Sequence, residues 1–228
     1  MRISSPTVRW TIVVALALTA VTTVVGVLLM PDFSGTHEDG LRAIAASPGT
    51  ATASSLLFTF SQLFLAVGVV GVATQLRDRA PKLAYLAAVT TVLGAFGHSA
   101  YGGVQAIMLA MAADLDDAAA HAEVLAAAEA GAGLPLMALG LLGTVLGLIL
   151  LGAAILRAGW GPRWLGIALI AFVVVEFGLS GMSVWAGYLS GALFFVAFVA
   201  MAVLTARGSD DDARRPAGVR ASASATSE

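Results

Sequence analysis

The chain contains no cysteine, which removes disulfides, thiolate metal sites and thiol nucleophiles from its chemistry. Charge is also scarce: 11% of the 228 residues are Asp, Glu, Lys or Arg, against about 25% in soluble domains. Lysine is nearly absent, a single Lys82 beside eleven arginines, a usage in keeping with a GC-rich bacterial genome. Histidine occurs three times, at positions 37, 98 and 121. Only His98 lies within an apolar run, so haem held between two intramembrane histidines is disfavoured. No Walker or Rossmann glycine pattern is present. Basic residues in the C-terminal tail are interleaved with acids, which argues against nucleic acid as a partner.

What the chain has in abundance is apolar sequence. Hydrophobic residues make up 59% and the mean hydropathy is +0.92. These residues fall in blocks long enough to cross a bilayer, which takes roughly 20 mostly apolar residues. The expected fold is all-α: a polytopic membrane protein with six transmembrane helices over 10–205, following a short tail at 1–9. The spans read as about 10–30, 54–76, 83–111, 134–156, 165–180 and 184–205. A secretory signal competes for the first span, but its apolar run exceeds the usual 7–15 residues. An uncleaved helix is the better reading. Residues 165–205 are almost unbroken apolar sequence. One straight helix of that length would measure about 60 Å against a hydrocarbon core of about 30 Å. Two spans with a turn near Gly178 to Ser183 therefore fit better.

Between the spans, residues 31–50 read as a polar loop and 112–132 as an acidic, Ala-rich stretch able to form a surface helix. Residues 206–228 are polar and read as a disordered tail. Charge distribution sets the count. With six spans and both termini cytoplasmic, eleven of the twelve basic residues fall inside, all but Arg42, and eight of the fourteen acids fall outside. Five spans would reduce the inside count to seven of twelve. The positive-inside rule therefore selects six, in the cytoplasmic membrane of a bacterium. Trp10, Trp160, Trp164 and Trp185 fall near the expected interfaces, as an aromatic belt would.

Polar residues within the spans are the candidates for function, because intramembrane charge is costly and normally faces the bundle interior or water. His98, Tyr101 and Gln105 are spaced three and four apart and share one helix face, which Thr91 and Gly94 extend backwards. Glu176 is the only acid inside a span. Counting about 1.5 Å per residue from the basic edge of each helix puts Glu176, His98 and Gln62 at about 20 to 24 Å. The candidate intramembrane site is thus Glu176, His98, Gln62, Tyr101 and Gln105. It reads either as interhelical hydrogen-bond glue or as a layer that binds a small ligand or a proton. Small residues at Gly140, Gly143 and Gly147, and at Ser183, Gly187 and Gly191, allow close helix approach. That approach serves packing within the chain or, alternatively, a homodimer face.

Catalytic, metal and cofactor sites are not expected. The segment Gly178-Leu179-Ser180-Gly181 resembles the serine motif of intramembrane rhomboid proteases, whose general-base histidine lies on a later helix. No histidine follows Ser180 here, and an unassisted hydroxyl is a poor nucleophile. Asp114, Asp117 and His121 could share a helix face, but exposed acid–histidine clusters are ordinarily solvated surface rather than metal ligands.

The turn Gly161-Pro162-Arg163-Trp164-Leu165-Gly166 is similar to the PRWLG-type cytoplasmic turn of a bacterial family of small multi-pass membrane proteins. The outer loop at 41–53, followed by an apolar helix and a basic turn, matches that family's layout. The resemblance implies a six-helix membrane protein and carries no catalytic residues. The expected function is a non-enzymatic accessory or structural role, with the lipid bilayer and other membrane proteins as partners. The alternative is a small-solute or proton-coupled transporter using the Glu/His/Gln layer.

Overall fold

A computed structural model describes residues 5–33, 35–179 and 183–214. The described chain is all-α. Its helices are α1 (Pro6–Leu28), α2 (His37–Ala46), α3 (Pro48–Leu76), α4 (Pro81–Met111), α5 (Ala118–Ala128), α6 (Leu134–Ala158), α7 (Arg163–Gly178) and α8 (Val184–Arg214). Proline stands in the first turn of α1, α3, α4 and α6, where its fixed φ suits a helix and its missing N–H would go unpaired in any case.

Five apolar segments are long enough to cross a membrane: Pro6–Leu28, Pro48–Leu76, Pro81–Met111, Ala118–Ala158 and Trp185–Arg207. Their outward faces remain apolar, with Val14, Leu63, Leu146, Val174 and Val196 among many exposed side chains. Contiguous apolar surface on this scale is foreign to water-soluble monomers. The chain is a multi-pass membrane protein. The remaining long element, α7, has 16 residues, about 24 Å of helix, and falls short of the usual spanning length.

Six helices close into a ring in the order α1, α3, α4, α6, α7, α8, with α8 returning to α1. Neighbours in sequence are neighbours in space, and the first and last helices supply the final seam. Leu16, Val69, Val72, Leu148, Leu151, Leu169, Phe198 and Met201 fill the lower half of the interior. The lower end, by our usage, is the one bearing Arg77, Arg157 and Arg207.

The upper end is capped by short elements. The stretch at 31–50, read from sequence as a loop, contains α2. Its signal is the pair Thr36 and Asp39. The Thr36 hydroxyl accepts from the Asp39 N–H at 3.2 Å, while the Asp39 carboxylate accepts from the Thr36 N–H at 3.0 Å. This reciprocal capping box satisfies two amides that a helix start leaves open. The Thr36 hydrogen bonds, aided by Arg42, hold the Asp39 carboxyl below the usual aspartate range. From α2, Leu41 and Ile44 pack with Ala51, Met108 and Leu125 in a small upper core. Helix α5 occupies the acidic, Ala-rich stretch. The chain then passes through a wide π-type turn at 129–133, kinked at Gly131, and continues as α6.

The turn from α6 to α7 is fixed by two left-handed glycines, Gly159 (φ 60°) and Gly161 (φ 79°). Gly159 ends α6, and the Trp160 N–H reaches back to the Ile155 carbonyl at 3.2 Å, a Schellman-type closure. Pro162 then holds extended backbone (φ −72°, ψ 144°) before α7 begins. Helix α8 continues to Arg214, beyond the point at which the sequence reading begins its tail. Residues 215–228 of that tail, and the part of the expected turn at 180–182, lie outside the described residues.

Candidate functional site

Helix α6 lies almost against the backbone of α4. A Cβ added to Gly97 would sit 2.3 Å from the Gly140 N, and one on Gly94 would sit 2.4 Å from the Thr144 N. Gly143 and Gly147 face Gly94 and Thr91 in the same way. The stripe Gly140, Gly143, Gly147 is therefore occupied within the chain by α4. At Gly187 and Gly191 an added Cβ would meet nothing within 4 Å, so the α8 stripe stays open.

Because the two backbones lie so close, the short hydroxyl of Thr144 reaches His98, whose Nδ1 lies 3.2 Å from the Thr144 Oγ1. The imidazole edge also meets the Phe58 ring of α3, with centroids 5.6 Å apart. His98 is thus positioned by three helices.

The other expected residues find separate partners. Gln62 is buried on α3, where its amide N–H group donates to the Ser61 hydroxyl at 3.1 Å and to the Phe58 carbonyl at 3.4 Å. Its Oε1 is buried without a protein donor. Glu176 of α7 accepts a hydrogen bond from the Ser190 hydroxyl of α8, which fastens the α7–α8 seam at its upper end. Helix α6 stands between α4 and α7 in the ring, so His98 turns to Thr144 while Glu176 turns to α8.

Tyr101 and Gln105 lie half-buried above His98. Glu129, beyond α5, pairs with His37 of α2 at 3.3 Å. Gln105 borders a cavity of about 10 Å³ with Ser54, Ser55, Phe33 and Met108, at the lower limit of what one water needs. The Gln105 Oε1 is buried there without a protein donor.

Sequence reasoning passed over Thr144, Ser190, Glu129 and His37. Thr144 sits one residue after Gly143, and Ser190 one before Gly191, so both stand beside small-residue stripes already legible as packing seams. Glu129 and His37 belong to segments read as outer loops. Their approach to α4 depends on how α2 and α5 fold over the upper end.

Polar ties elsewhere follow one plan. The Ser54 hydroxyl of α3 donates to the Gly26 carbonyl of α1 at 2.7 Å. The Gln75 amide of α3 donates to the Thr205 hydroxyl of α8 at 3.3 Å. Arg79, in the turn after α3, donates to the Ala158 carbonyl at the foot of α6 at 3.1 Å. Thr19 and Thr22 return their hydroxyls to carbonyls four residues earlier on α1, which satisfies them without a partner helix. Asp114, Asp117 and His121 do not assemble a centre: among the described residues no group of three or more His, Asp or Glu side chains converges as a metal site would require. Ser180 and Gly181 of the rhomboid-like segment lie outside the described residues.

Comparison with protein families, curated proteins and solved structures adds nothing to this picture. None matches the chain.

Proposed function

We propose that the chain is a non-enzymatic accessory or structural protein of the bacterial cytoplasmic membrane. It crosses the bilayer six times, α7 included, with both termini in the cytoplasm. One observation carries this reading. Four side-chain hydrogen bonds join neighbouring helices of the ring: Ser54 ties α3 to α1, His98 and Thr144 tie α4 to α6, Ser190 and Glu176 tie α8 to α7, and Gln75 and Thr205 tie α3 to α8. Interhelical bonds of this kind contribute about 0.6 kcal/mol each on average in a membrane, and together they set which helix neighbours which. The PRWLG-type turn fits the same scheme, because its glycines and proline are needed to reverse the chain between α6 and α7. Partners on this reading are lipids and other membrane proteins.

A transporter is the second reading, favoured by a different observation. The buried oxygens Gln62 Oε1, Thr91 Oγ1 and Gln105 Oε1 have no protein donor. On this reading they would line, with His98, Tyr101, Glu129 and His37, a polar column leading from the upper surface into the ring. The column would serve a proton or a small polar solute.

The full chain, reconstituted in proteoliposomes under a pH gradient, separates the two. On the structural reading the gradient decays as in empty liposomes, and Glu176→Gln or His98→Ala lowers unfolding free energy by about 0.5–1 kcal/mol. Gradient decay that requires the protein and is lost in either variant at unchanged stability would overturn that reading and support transport.

A further inference from the structure

The lower end of the ring collects cations. Arg9, Arg77, Arg79, Lys82, Arg157, Arg163 and Arg207 all lie there. The Arg79 bond to the Ala158 carbonyl, the Gln75 bond to Thr205, and the approach of Gly71 to Ile12 and of Gly161 to Leu204 bring the feet of α1, α3, α6 and α8 together. Arg77 pairs with its neighbour Asp78 at 3.7 Å. Among the described residues, no ion pair or side-chain hydrogen bond engages Lys82, Arg157, Arg163 or Arg207, and all four are exposed. The Arg9 Nε is buried without an acceptor.

The most concentrated part of this surface is the turn between α6 and α7. Arg157 stands in the last turn of α6 and Arg163 opens α7, separated by five residues that the two left-handed glycines fold back on themselves. Trp164 follows at once and is 46% exposed, with Ile167 exposed one turn higher. Two exposed guanidinium groups, an amphipathic indole and an apolar side chain thus follow one another from the turn into α7. An anionic phospholipid presents the matching order: a phosphate-bearing negative headgroup, a polar–apolar boundary and an acyl chain. Guanidinium suits this role because its planar fork can donate two hydrogen bonds to one phosphate.

We infer that the lower end of the ring, centred on Arg157, Arg163 and Trp164, is a docking surface for anionic phospholipid headgroups. The inference does not depend on whether the interior is glue or a transport path. Lipid retention by the detergent-purified full chain tests it, measured by native mass spectrometry after titration with phosphatidylglycerol or phosphatidylcholine. A basic side chain near an anionic surface is worth roughly a fivefold change in binding. The wild type should therefore retain phosphatidylglycerol at least about fivefold better than phosphatidylcholine. Arg157→Gln combined with Arg163→Gln should remove most of that preference, while Arg157→Lys with Arg163→Lys keeps most of it. Arg42→Gln, at the upper end, should leave it unchanged. Both arginines are exposed and bonded to nothing internal, so the Gln pair should unfold at the wild-type temperature. Equal retention of the two lipids, an equal loss in Arg42→Gln, or displacement of the lipid by millimolar inorganic phosphate would overturn the proposal.

Discussion

Gly97→Ala should destabilise the folded chain by at least about 2 kcal/mol, at the upper part of the range for overpacking a close-packed interface. The added methyl would lie 2.3 Å from the Gly140 N and 2.6 Å from the Leu136 carbonyl oxygen. Both are backbone atoms, so no rotamer change in a neighbour can relieve the clash. The α4 and α6 backbones would have to separate, and with them the His98–Thr144 bond would break. Gly143→Ala should act alike, its methyl 2.5 Å from the Gly94 N. Gly103→Ala on the same helix is the control, since an added Cβ there meets nothing within 4 Å. It should be neutral or stabilise by up to about 1 kcal/mol through helix propensity. Unfolding of the purified protein in detergent, followed by circular dichroism, reads all three. Equal stability of Gly97→Ala and Gly103→Ala would mean that α4 and α6 are not in contact as described.

Leu146→Asp should reduce the ratio of folded, membrane-inserted to uninserted chain by on the order of a hundredfold, because a carboxylate at the centre of a lipid-facing helix costs about 2.5–3.5 kcal/mol. Leu146 stands at the middle of α6 and is 49% exposed on the outer surface of the ring. Were that face in contact with water, the same substitution would be nearly neutral, since exposed surface changes are usually within about 0.5 kcal/mol. Leu146→Ala separates the charge from the loss of bulk: lipid is as apolar as leucine, so little packing energy is at stake there. Membrane-integrated yield of the full chain, compared among the three, decides whether the exposed apolar belt faces lipid.

Much of the fold could be read from the sequence because membrane constraints act locally. An apolar run must be long enough to cross, and Pro31, Pro48, Pro81 and Pro162 punctuate the runs. The gathering of basic residues at one end was legible for the same reason: it depends only on counting charges between spans. Helix α2 was missed because glycines and prolines around 31–50 favour a loop, whereas the capping box at Thr36 and Asp39 and the burial of Leu41 and Ile44 outweigh them. The pairings of the candidate site were hidden for a different reason. Depth along a helix follows from residue counting, but facing depends on which helix is the neighbour. That choice is made by backbone approach at Gly94, Gly97, Gly140 and Gly143, which brings Thr144 rather than a carboxylate to His98. The number of crossings turns on α7, whose 16 residues are few for a span, although the helix rises from Gly161 beside Leu204 to Glu176 beside Ser190.

The crossing of α7 is also the point on which sidedness rests, and the missing cysteines make it directly measurable. Single cysteines placed at Arg42, Leu115, Leu179, Arg163 and Ser222, one per variant, can be challenged in intact cells with a membrane-impermeant maleimide. With six crossings, the reagent labels positions 42, 115 and 179 from outside and reaches 163 and 222 only after lysis. Labelling of position 222 in intact cells, or protection of position 179, would contradict six crossings and leave α7 lying within one leaflet.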